Sequence, residues 1–404
     1  MKLAACQRFR PDEAPSGWKV EPLKNRLRLE YGTGLSEMER MEGDFPVFGS
    51  NGQVGFHDAF LVEGPGILVG RKGSVGEVHF SKENFWPIDT VYYVRRLFED
   101  NWSYLYHLLK FLNLERLNAA TGVPGLTRRD AHFILGAFPE PHEQQEISGV
   151  LDVAEDYCGA AERRLETARH FKRALMQQLF TRGLPGRHAH FKETTIGVIP
   201  ESWDVVSVWS VLNSPPFSGV SPQSRQEPPG TPILNVECID DGECTTTHVS
   251  YVDVDAPTLE ECRAKVGDFF VLRGNGNREY VASGGLLREE PATPTIFSDK
   301  LIRLRFNESE VVDRFIPYMW QSYSFLRRLQ SKAESGSGLW MMSKRDIRRE
   351  LFAKPPLPEQ REIVALMDAT INRITVCHGE LDAIDRLKRS LLQNLLTGKV
   401  RVRG

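Results

Sequence analysis

The chain has 404 residues, of which 41% are apolar and 26% are charged, and its formal net charge is -3. This length allows two or three domains, each with its own apolar core. The mean hydropathy of -0.35 is typical of a globular protein. No stretch approaches about 18 apolar residues, and residues 1–15 carry charges where a signal peptide would be apolar, so we predict a cytoplasmic protein without membrane segments.

Composition and motifs argue against catalysis by this chain. The six cysteines (Cys6, Cys158, Cys238, Cys244, Cys262 and Cys377) form no C-x-x-C pair. We predict reduced, structural thiols rather than disulfides or a metal site. No phosphate-binding loop is present, and no histidine lies in a recognisable triad or metal pattern. We therefore expect a recognition protein that is not an enzyme and holds no cofactor.

An internal duplication organises the sequence. Each copy opens with Pro-x-x-Trp, at residues 15–18 and 200–203, a separation of 185 positions. Each copy closes with P-x-x-x-E-Q-x-E-I, at residues 139–147 and 355–363, a separation of 216 positions. A period this long indicates two large copies of one unit rather than a solenoid.

A long helix is predicted after each closing motif, from His142 to Leu179 and from Pro358 to Leu395. Apolar residues recur there every three or four positions, which places them on one face of a helix. At the 216-residue offset the two series match in kind: 151, 154, 158, 161, 165, 168, 171, 175 and 179 in the first helix, and 367, 370, 374, 377, 381, 384, 387, 391 and 395 in the second. Each helix would be about 57 Å long.

Two equally patterned helices most economically bury their apolar faces against each other. An antiparallel pairing would place the two globular parts at opposite ends of a rod. The alternative is two independent helical hairpins, each packed on its own domain.

The segments between the opening and closing motifs predict mixed α/β domains. In the first, strands are expected at residues 45–48, 66–70, 77–80 and 90–94, followed by a helix from Trp102 to Asn118. In the second, strands are expected near 268–272 and 300–304, followed by a helix from Phe315 to Gln330. Each domain ends on a basic quartet, Thr127-Arg128-Arg129-Asp130 and Ser343-Lys344-Arg345-Asp346, again 216 positions apart.

Two fragments resemble parts of an adenine methyltransferase, which is the second hypothesis for this chain. Asn213-Ser214-Pro215-Pro216-Phe217 approaches an Asn-Pro-Pro-Phe motif, but Ser214 interrupts the tight turn. The glycines at 274 and 276 approach a cofactor loop, but a lone Gly-x-Gly is a weak signal. We interpret the second fragment as a strand-end turn.

The glycine-rich turns and the basic quartets carry the side chains expected of a DNA-binding surface. Arginine reads guanine edges, asparagine reads adenine, and glycine allows close approach. The candidate base-reading residues are Ser50, Asn51, Arg71, Lys72, Ser74, Arg273, Asn275, Asn277 and Arg278. The candidate phosphate-binding residues are Arg128, Arg129, Lys344 and Arg345.

Each candidate has a structural alternative: a solvated basic turn for the first group, and a salt bridge to the adjacent aspartate for the second. Basic residues along the long helices are interpreted as a solvated or partner-facing surface; they are Arg163, Arg164, Arg169, Lys172, Arg173, Arg386, Lys388 and Arg389.

The closing motif, followed by a helix ending Leu391-Leu392-Gln393-Asn394-Leu395-Leu396-Thr397-Gly398, resembles the specificity subunit of type I restriction-modification enzymes. The segment from Thr195 to Trp203 resembles that family's lead-in to a target recognition domain. The first lead-in, at residues 15–18, departs from the pattern because it lacks the Ile-Gly-x-Ile-Pro stretch.

The resemblance implies an α+β fold in which two mixed α/β target recognition domains are joined by two long antiparallel coiled-coil helices, as a pseudo-two-fold internal repeat. We assign residues 1–140 and 183–354 to the two recognition parts, and 141–182 and 355–404 to the helices. The implied partners are double-stranded DNA with a bipartite asymmetric target, two methyltransferase subunits that bind S-adenosylmethionine, and two restriction subunits. A third hypothesis is a coiled-coil adaptor that only joins protein partners.

Overall fold

A computed structural model describes residues 9, 14–117, 125–247, 249–336 and 338–402. The chain divides into two compact units, residues 1–164 with 377–404, and residues 165–376. Each unit therefore contains one mixed α/β domain together with a part of both long helices. The predicted fold class, two mixed domains and two long antiparallel helices, is confirmed.

The first domain is built on two sheets, and its elements are β1 (Lys19–Pro22), β2 (Leu27–Tyr31), β3 (Phe45–Gly49), β4 (Gly52–His57), β5 (Gly66–Gly70), β6 (Val78–Ser81), β7 (Trp86–Pro87), β8 (Val91–Arg96), α1 (Trp102–Leu112), α2 (Arg128–His132) and β9 (Leu135–Phe138). One sheet has the strand order β2-β8-β5-β6 and is antiparallel, and the other has the order β4-β3-β7. The apolar side of α1 is buried on the first sheet, in one cluster with Leu27, Ile67 and Val69.

The first long helix, α3 (Pro141–Leu179), leads to the second domain, whose elements are β10 (Phe191–Thr194), β11 (Gly197–Pro200), β12 (Asp204–Ser207), β13 (Phe217–Ser218), β14 (Ser224–Arg225), β15 (Thr231–Leu234), β16 (Ile239–Asp240), β17 (Glu243–Cys244), β18 (Val249–Val252), α4 (Ala256–Glu261), β19 (Phe269–Leu272), β20 (Gly274–Asn275), β21 (Gly284–Leu287), β22 (Ile296–Phe297), β23 (Leu301–Leu304), α5 (Phe315–Gln321), α6 (Tyr323–Ser331), β24 (Glu334–Gly336), β25 (Leu339–Met341), α7 (Lys344–Arg349) and β26 (Leu351–Lys354). The second long helix is α8 (Leu357–Leu396). The antiparallel run β13-β23-β19-β21 corresponds to β2-β8-β5-β6 of the first domain.

Each domain begins and ends on a two-stranded ribbon. β1 pairs with β9, and β12 pairs with β26, both antiparallel. In each ribbon, two residues separate the second strand from a long helix, which starts at Pro141 or Leu357. The opening and closing motifs of each copy therefore meet at the base of their own domain.

The repeated glutamate of the closing motif binds the repeated tryptophan of the opening motif. Trp18 Nε1 donates to Glu143 Oε2 at 3.0 Å, and Trp203 Nε1 donates to Glu359 Oε2 at 2.9 Å. Both tryptophans are buried. A buried indole N–H needs an acceptor, so these two pairs account for two of the residues that the sequence repeats.

The repeated glutamine caps a loop of its own domain. Gln144 Oε1 accepts from the backbone N–H of Asn101 at 2.8 Å, and Gln360 Oε1 accepts from that of Val312 at 2.9 Å. Each Nε2 donates to the carbonyl five residues earlier, at 2.9 and 2.8 Å. Both glutamines are fully buried, so their amides satisfy backbone groups that water cannot reach.

The two long helices run antiparallel, as contacts within the first unit show. Cys158 Sγ donates to Asp385 at 3.2 Å, and Arg164 lies 3.7 Å from Glu380. The later residue of α3 therefore contacts the earlier residue of α8, as expected for antiparallel helices. Burial raises the pKa of Cys158 to about 11, which keeps the thiol protonated as a donor. The alternative of two independent hairpins is therefore excluded for this unit.

The predicted apolar face of the helices is buried at most positions. Leu151, Ala154, Cys158, Ala161 and Leu165 are all buried. The prediction is wrong at two equivalent positions, because residue 171 of α3 is 56% exposed and residue 387 of α8 is 58% exposed.

Two predicted helix ends need correction. α1 ends at Leu112 rather than at 118, because Asn113 adopts a left-handed backbone with φ of 51°; Asn118 itself lies outside the described residues. The helix predicted from Phe315 to Gln330 is two helices. Ser322, with ψ of 134°, separates them, and its hydroxyl donates to the carbonyl of Met319 at 2.6 Å.

The described cysteines, 158, 238, 244, 262 and 377, are buried and form no disulfide with one another; Cys6 lies outside the described residues. Among the residues that the structure describes, no helix is long and apolar enough to cross a membrane.

Candidate nucleic-acid interface

In both domains, the glycine-rich turn and the basic quartet are hydrogen-bonded neighbours. Arg71 directly follows β5, and its carbonyl accepts from the N–H of Leu126 at 3.0 Å, one residue before the quartet begins. Arg273 directly follows β19, and its carbonyl accepts from the N–H of Met342 at 2.7 Å, again one residue before the quartet. The structure thus brings together the two predicted groups of DNA-binding residues.

The same two arginines are anchored in the same way on their other side. The N–H of Arg71 donates to the carbonyl of Thr90 at 2.9 Å, and that of Arg273 donates to the carbonyl of Lys300 at 2.8 Å. Thr90 and Lys300 each immediately precede the neighbouring strand, β8 or β23. The backbone position of this arginine is therefore common to both domains.

Each basic quartet forms the start of a short helix, and its basic residues do not form a salt bridge with the adjacent aspartate. Thr127 Oγ1 accepts from the N–H of Asp130 at 3.2 Å, and Ser343 Oγ accepts from the N–H of Asp346 at 3.0 Å. These are side-chain caps of helix N-termini. Within the described residues neither aspartate forms an ion pair, and Arg128 instead lies 3.6 Å from Glu30.

In the first domain, two candidate arginines stack on one exposed tyrosine. The guanidinium of Arg71 lies 5.0 Å from the ring centroid of Tyr31, and that of Arg128 lies 4.3 Å from it. Tyr31 is 49% exposed at the end of β2. Such cation–π contacts hold a guanidinium in a defined place.

Tyr31 was missed by sequence reasoning. It continues the alternating series Leu27, Leu29, Tyr31, which is typical of the buried face of a strand. Its ring packs 5.2 Å from that of Tyr92, whose hydroxyl donates to the carbonyl of Leu126 at 3.0 Å. Burial raises the pKa of Tyr92 to about 12, so this hydroxyl stays protonated at neutral pH.

The turn holding Ser50 and Asn51 adjoins the turn from Lys72 to Ser74. A Cβ atom added at Gly70 would lie 1.9 Å from the Ser74 carbonyl oxygen and 3.3 Å from that of Ser50. Only glycine allows this approach of three backbone segments. All five candidates of the first domain's turns, including Arg71, therefore belong to one surface.

In the second domain, part of the turn is held by its own side chains. Asn275 Oδ1 accepts from the N–H of Asn277 at 2.9 Å, and Asn277 Oδ1 accepts from the N–H of Glu279 at 3.0 Å. Arg278 donates to the carbonyls of residues 330 and 331, and its guanidinium lies 4.8 Å from the Trp340 ring. These contacts shape the turn, and they use the Oδ1 atoms of both asparagines rather than their amide NH2 groups, which can donate hydrogen bonds to a ligand.

The four candidate phosphate-binding residues are partly or fully exposed. Arg129, Lys344 and Arg345 are exposed, and Arg128 is half-buried beside Tyr31. Basic side chains on the long helices are engaged in part: Arg164 and Lys388 pair with acidic residues of the opposite helix, and Lys172 pairs with Asp241 at 3.0 Å. This engagement agrees with a helix-surface role for those three.

Comparisons with known proteins point to one class of protein. The family model described as "Type I restriction modification DNA specificity domain" matches residues 15–167. The MjaVIII specificity subunit of a type I restriction enzyme from Methanocaldococcus jannaschii is 22% identical, and the match covers 96% of this chain and 94% of that protein. The MjaX specificity subunit of a type I restriction enzyme from the same organism is 24% identical, and the match covers 85% of this chain and 73% of that protein.

Solved structures agree on the fold. A crystal structure of the type I restriction-modification S subunit from M. genitalium has a TM-score of 0.60 at 16% identity, covering 94% of this chain and 96% of that one. A chain from a structural study of complex assembly in the type I system has a TM-score of 0.57 at 14% identity, covering 97% and 100%. The family model, the relatives and the solved structures all indicate a type I restriction-modification specificity subunit, in agreement with the resemblance of the chain's motifs. The matching family model is described as a DNA specificity domain, which supports DNA target recognition rather than the methyltransferase hypothesis.

Proposed function

We propose that this chain reads a bipartite, asymmetric DNA target, one half with each domain, through the surfaces built around Arg71 and Arg273. The observation that carries the proposal is the repeated bond between the strand-end arginine and the segment leading to the basic quartet. The same backbone frame is kept in both domains while its side chains differ. Two domains that share this backbone frame but present different side chains to DNA would recognise two different half-sites.

The two groups of residues would have different tasks. Arginine and asparagine side chains on the turns would meet base edges, where bidentate contacts discriminate between base pairs. These side chains are Arg71, Asn51, Arg273, Asn275 and Asn277. Ser50, Lys72, Ser74 and Arg278 would support or extend the same turns.

Arg128, Arg129, Lys344 and Arg345 would bind phosphates. Such contacts supply affinity and fix the register of the protein on the duplex, but they carry no direct sequence information. They lie two or three residues after the backbone N–H that bonds to the reading turn, which would tie that register to the base contacts.

Within the complex, we infer that the chain directs two adenine methyltransferase subunits and, for cleavage, two restriction subunits in the cytoplasm. S-adenosylmethionine would bind to the methyltransferase. The relatives are named as subunits of restriction enzymes, and one matching chain comes from a study of complex assembly in the type I system. The recognition domains would comprise residues 1–140 and 183–354, and residues 141–182 and 355–404 would form the helical spacer.

Exchange of residues 18–139 for the equivalent part of a relative tests the proposal. The chimera, expressed with its methyltransferase partner, is expected to methylate a motif in which one half has changed and the other half is retained. Long-read sequencing that detects methylated adenine gives the motif directly. Exchange of residues 203–355 is the matched control, and it should change the other half. An unchanged motif in a folded chimera, which a coiled-coil adaptor would produce, rules the proposal out.

A further inference from the structure

The second domain carries a basic pocket beside an exposed tryptophan. The pocket has a volume of about 370 Å³ and is lined by Ser207, Trp209, Arg345, Arg348 and Arg349. The guanidinium of Arg348 lies 3.8 Å from the centroid of the Trp209 ring, and Trp209 is 42% exposed. We call this surface the Trp209 pocket. Only Arg345 was singled out from the sequence.

Among the residues that the structure describes, no carboxylate lines the Trp209 pocket. Glu350, the next residue in the chain, is buried and already binds Arg328 at 3.0 Å and Lys332 at 2.6 Å. Arg345 and Arg349 form no ion pair with any described residue.

Three arginines on one short helix repel each other. Arg345 and Arg349 are four positions apart on α7, where like charges lie side by side and destabilise a helix. An anion bound between them would remove this repulsion. The arrangement is therefore better suited to a ligand-bound state than to the free protein.

The first domain has a related cation–aromatic contact in which the residue types are exchanged and the partner on the short helix lies one position later. Lys24, which corresponds to Trp209 at the 185-residue offset, lies 4.2 Å from the ring of Phe133, which corresponds to Arg349 at the 216-residue offset. A cation–aromatic contact thus recurs at this place in both domains. The cluster of three arginines does not, because His132 and Phe133 stand where Arg348 and Arg349 stand in the second copy.

We propose that the Trp209 pocket is a binding site for the phosphodiester backbone of DNA, which extends the contact of the second domain beyond the half-site that it reads. The inference rests on the proposed function. Arg345, Arg348 and Arg349 supply the charge, and stacking on Trp209 holds the guanidinium of Arg348 in place. The pocket is continuous with the reading surface, because α7 starts two residues after Met342, whose N–H donates to the carbonyl of Arg273.

The salt dependence of DNA binding tests this site. The full-length chain carrying R348Q and R349Q is titrated onto a labelled mixed-sequence duplex, and fluorescence anisotropy is measured between about 50 and about 200 mM KCl. Each lost phosphate contact lowers the slope of log K against log salt by about 0.9, so we expect the slope to fall by about 1 to 2. Glutamine has a helix propensity similar to that of arginine and removes the charge, so α7 should be retained.

A matched control removes two positive charges of the same domain that are already paired. Arg187 lies 2.9 Å from Glu362, and Arg314 lies 2.7 Å from Asp368. The R187Q/R314Q variant is expected to keep the wild-type slope, with circular dichroism confirming the fold of both variants. If R348Q/R349Q keeps the wild-type slope while the wild type binds the duplex, the Trp209 pocket is not a phosphate site, although the proposed function stands. If the wild-type chain shows no salt-dependent binding either alone or in complex with its methyltransferase partner, both fail.

Discussion

Replacement of Glu359 by alanine is expected to lower the free energy of unfolding by about 2 to 4 kcal/mol, because it leaves buried polar groups without a partner. Glu359 is 5% exposed. Its Oε2 accepts from the indole of Trp203, which is fully buried, and its Oε1 lies 2.7 Å from His188 Nε2. Alanine would remove both contacts and leave the Trp203 N–H in a site without water.

Urea denaturation followed by intrinsic fluorescence measures this change. Glu362→Ala is the matched control, because Glu362 is half-exposed and pairs with Arg187 at 2.9 Å on the surface. An exposed pair of this kind contributes about 0 to 1 kcal/mol. Glu359→Gln keeps an acceptor for the indole and should be intermediate. Equal losses for the alanine variants at 359 and 362 would contradict the assigned role of the buried glutamate.

Part of this junction could be predicted from the sequence, and part could not. The repetition of Trp18 and Trp203 and of the Glu-Gln motif was visible, and it correctly indicated two copies of one unit. The bond between them was not visible, because the partners are 125 residues apart in one copy and 156 in the other. Periodicity reports local structure, whereas the contact of a tryptophan with a distant glutamate depends on how the whole domain closes.

The long helices were predicted almost to the residue, since a spacing of three and four positions determines which side of a helix is apolar. The same reasoning failed at Phe171 and Leu387. The periodic pattern continues through both residues. A side chain is buried only where another element packs against it, and the pattern of one helix does not predict the position of that element. The helix breaks at Asn113 and Ser322 were missed for a related reason: each is stabilised by a local backbone conformation that composition does not reveal.

The candidate interface was predicted by side-chain type rather than by geometry. Arginines next to glycines pointed to Arg71 and Arg273, and the structure brings each to the segment that leads to its basic quartet. Tyr31 carried no such signal, because an aromatic residue in an alternating strand is normally part of a core. Tyr31 lies at the end of β2, outside the core, and the arginines of two other segments stack on its ring.

Substitutions at Tyr31 and Arg71 are expected to have the second large effect, a loss of DNA sequence discrimination by the first domain. Arg71→Ala is expected to weaken binding of the cognate duplex by about 1 to 3 kcal/mol and to relax the preference at one base pair of one half-site. Tyr31→Leu should reproduce a large part of this loss, because the guanidinium groups of Arg71 and Arg128 would lose the ring that positions them. Tyr31→Phe keeps that ring and should retain the preference.

Arg129→Ala provides the contrast needed to interpret these variants. Arg129 is exposed on the same short helix as Arg128, and a phosphate contact there would lower affinity for all sequences by a similar factor. Competition between the cognate duplex and duplexes with single base-pair changes, read by anisotropy, separates the two behaviours. If Arg71→Ala weakens every duplex equally, Arg71 binds the backbone and the base-reading role belongs to other side chains of the turn. If Tyr31→Leu leaves both affinity and preference unchanged, the stacked arrangement of the two arginines does not contribute to recognition.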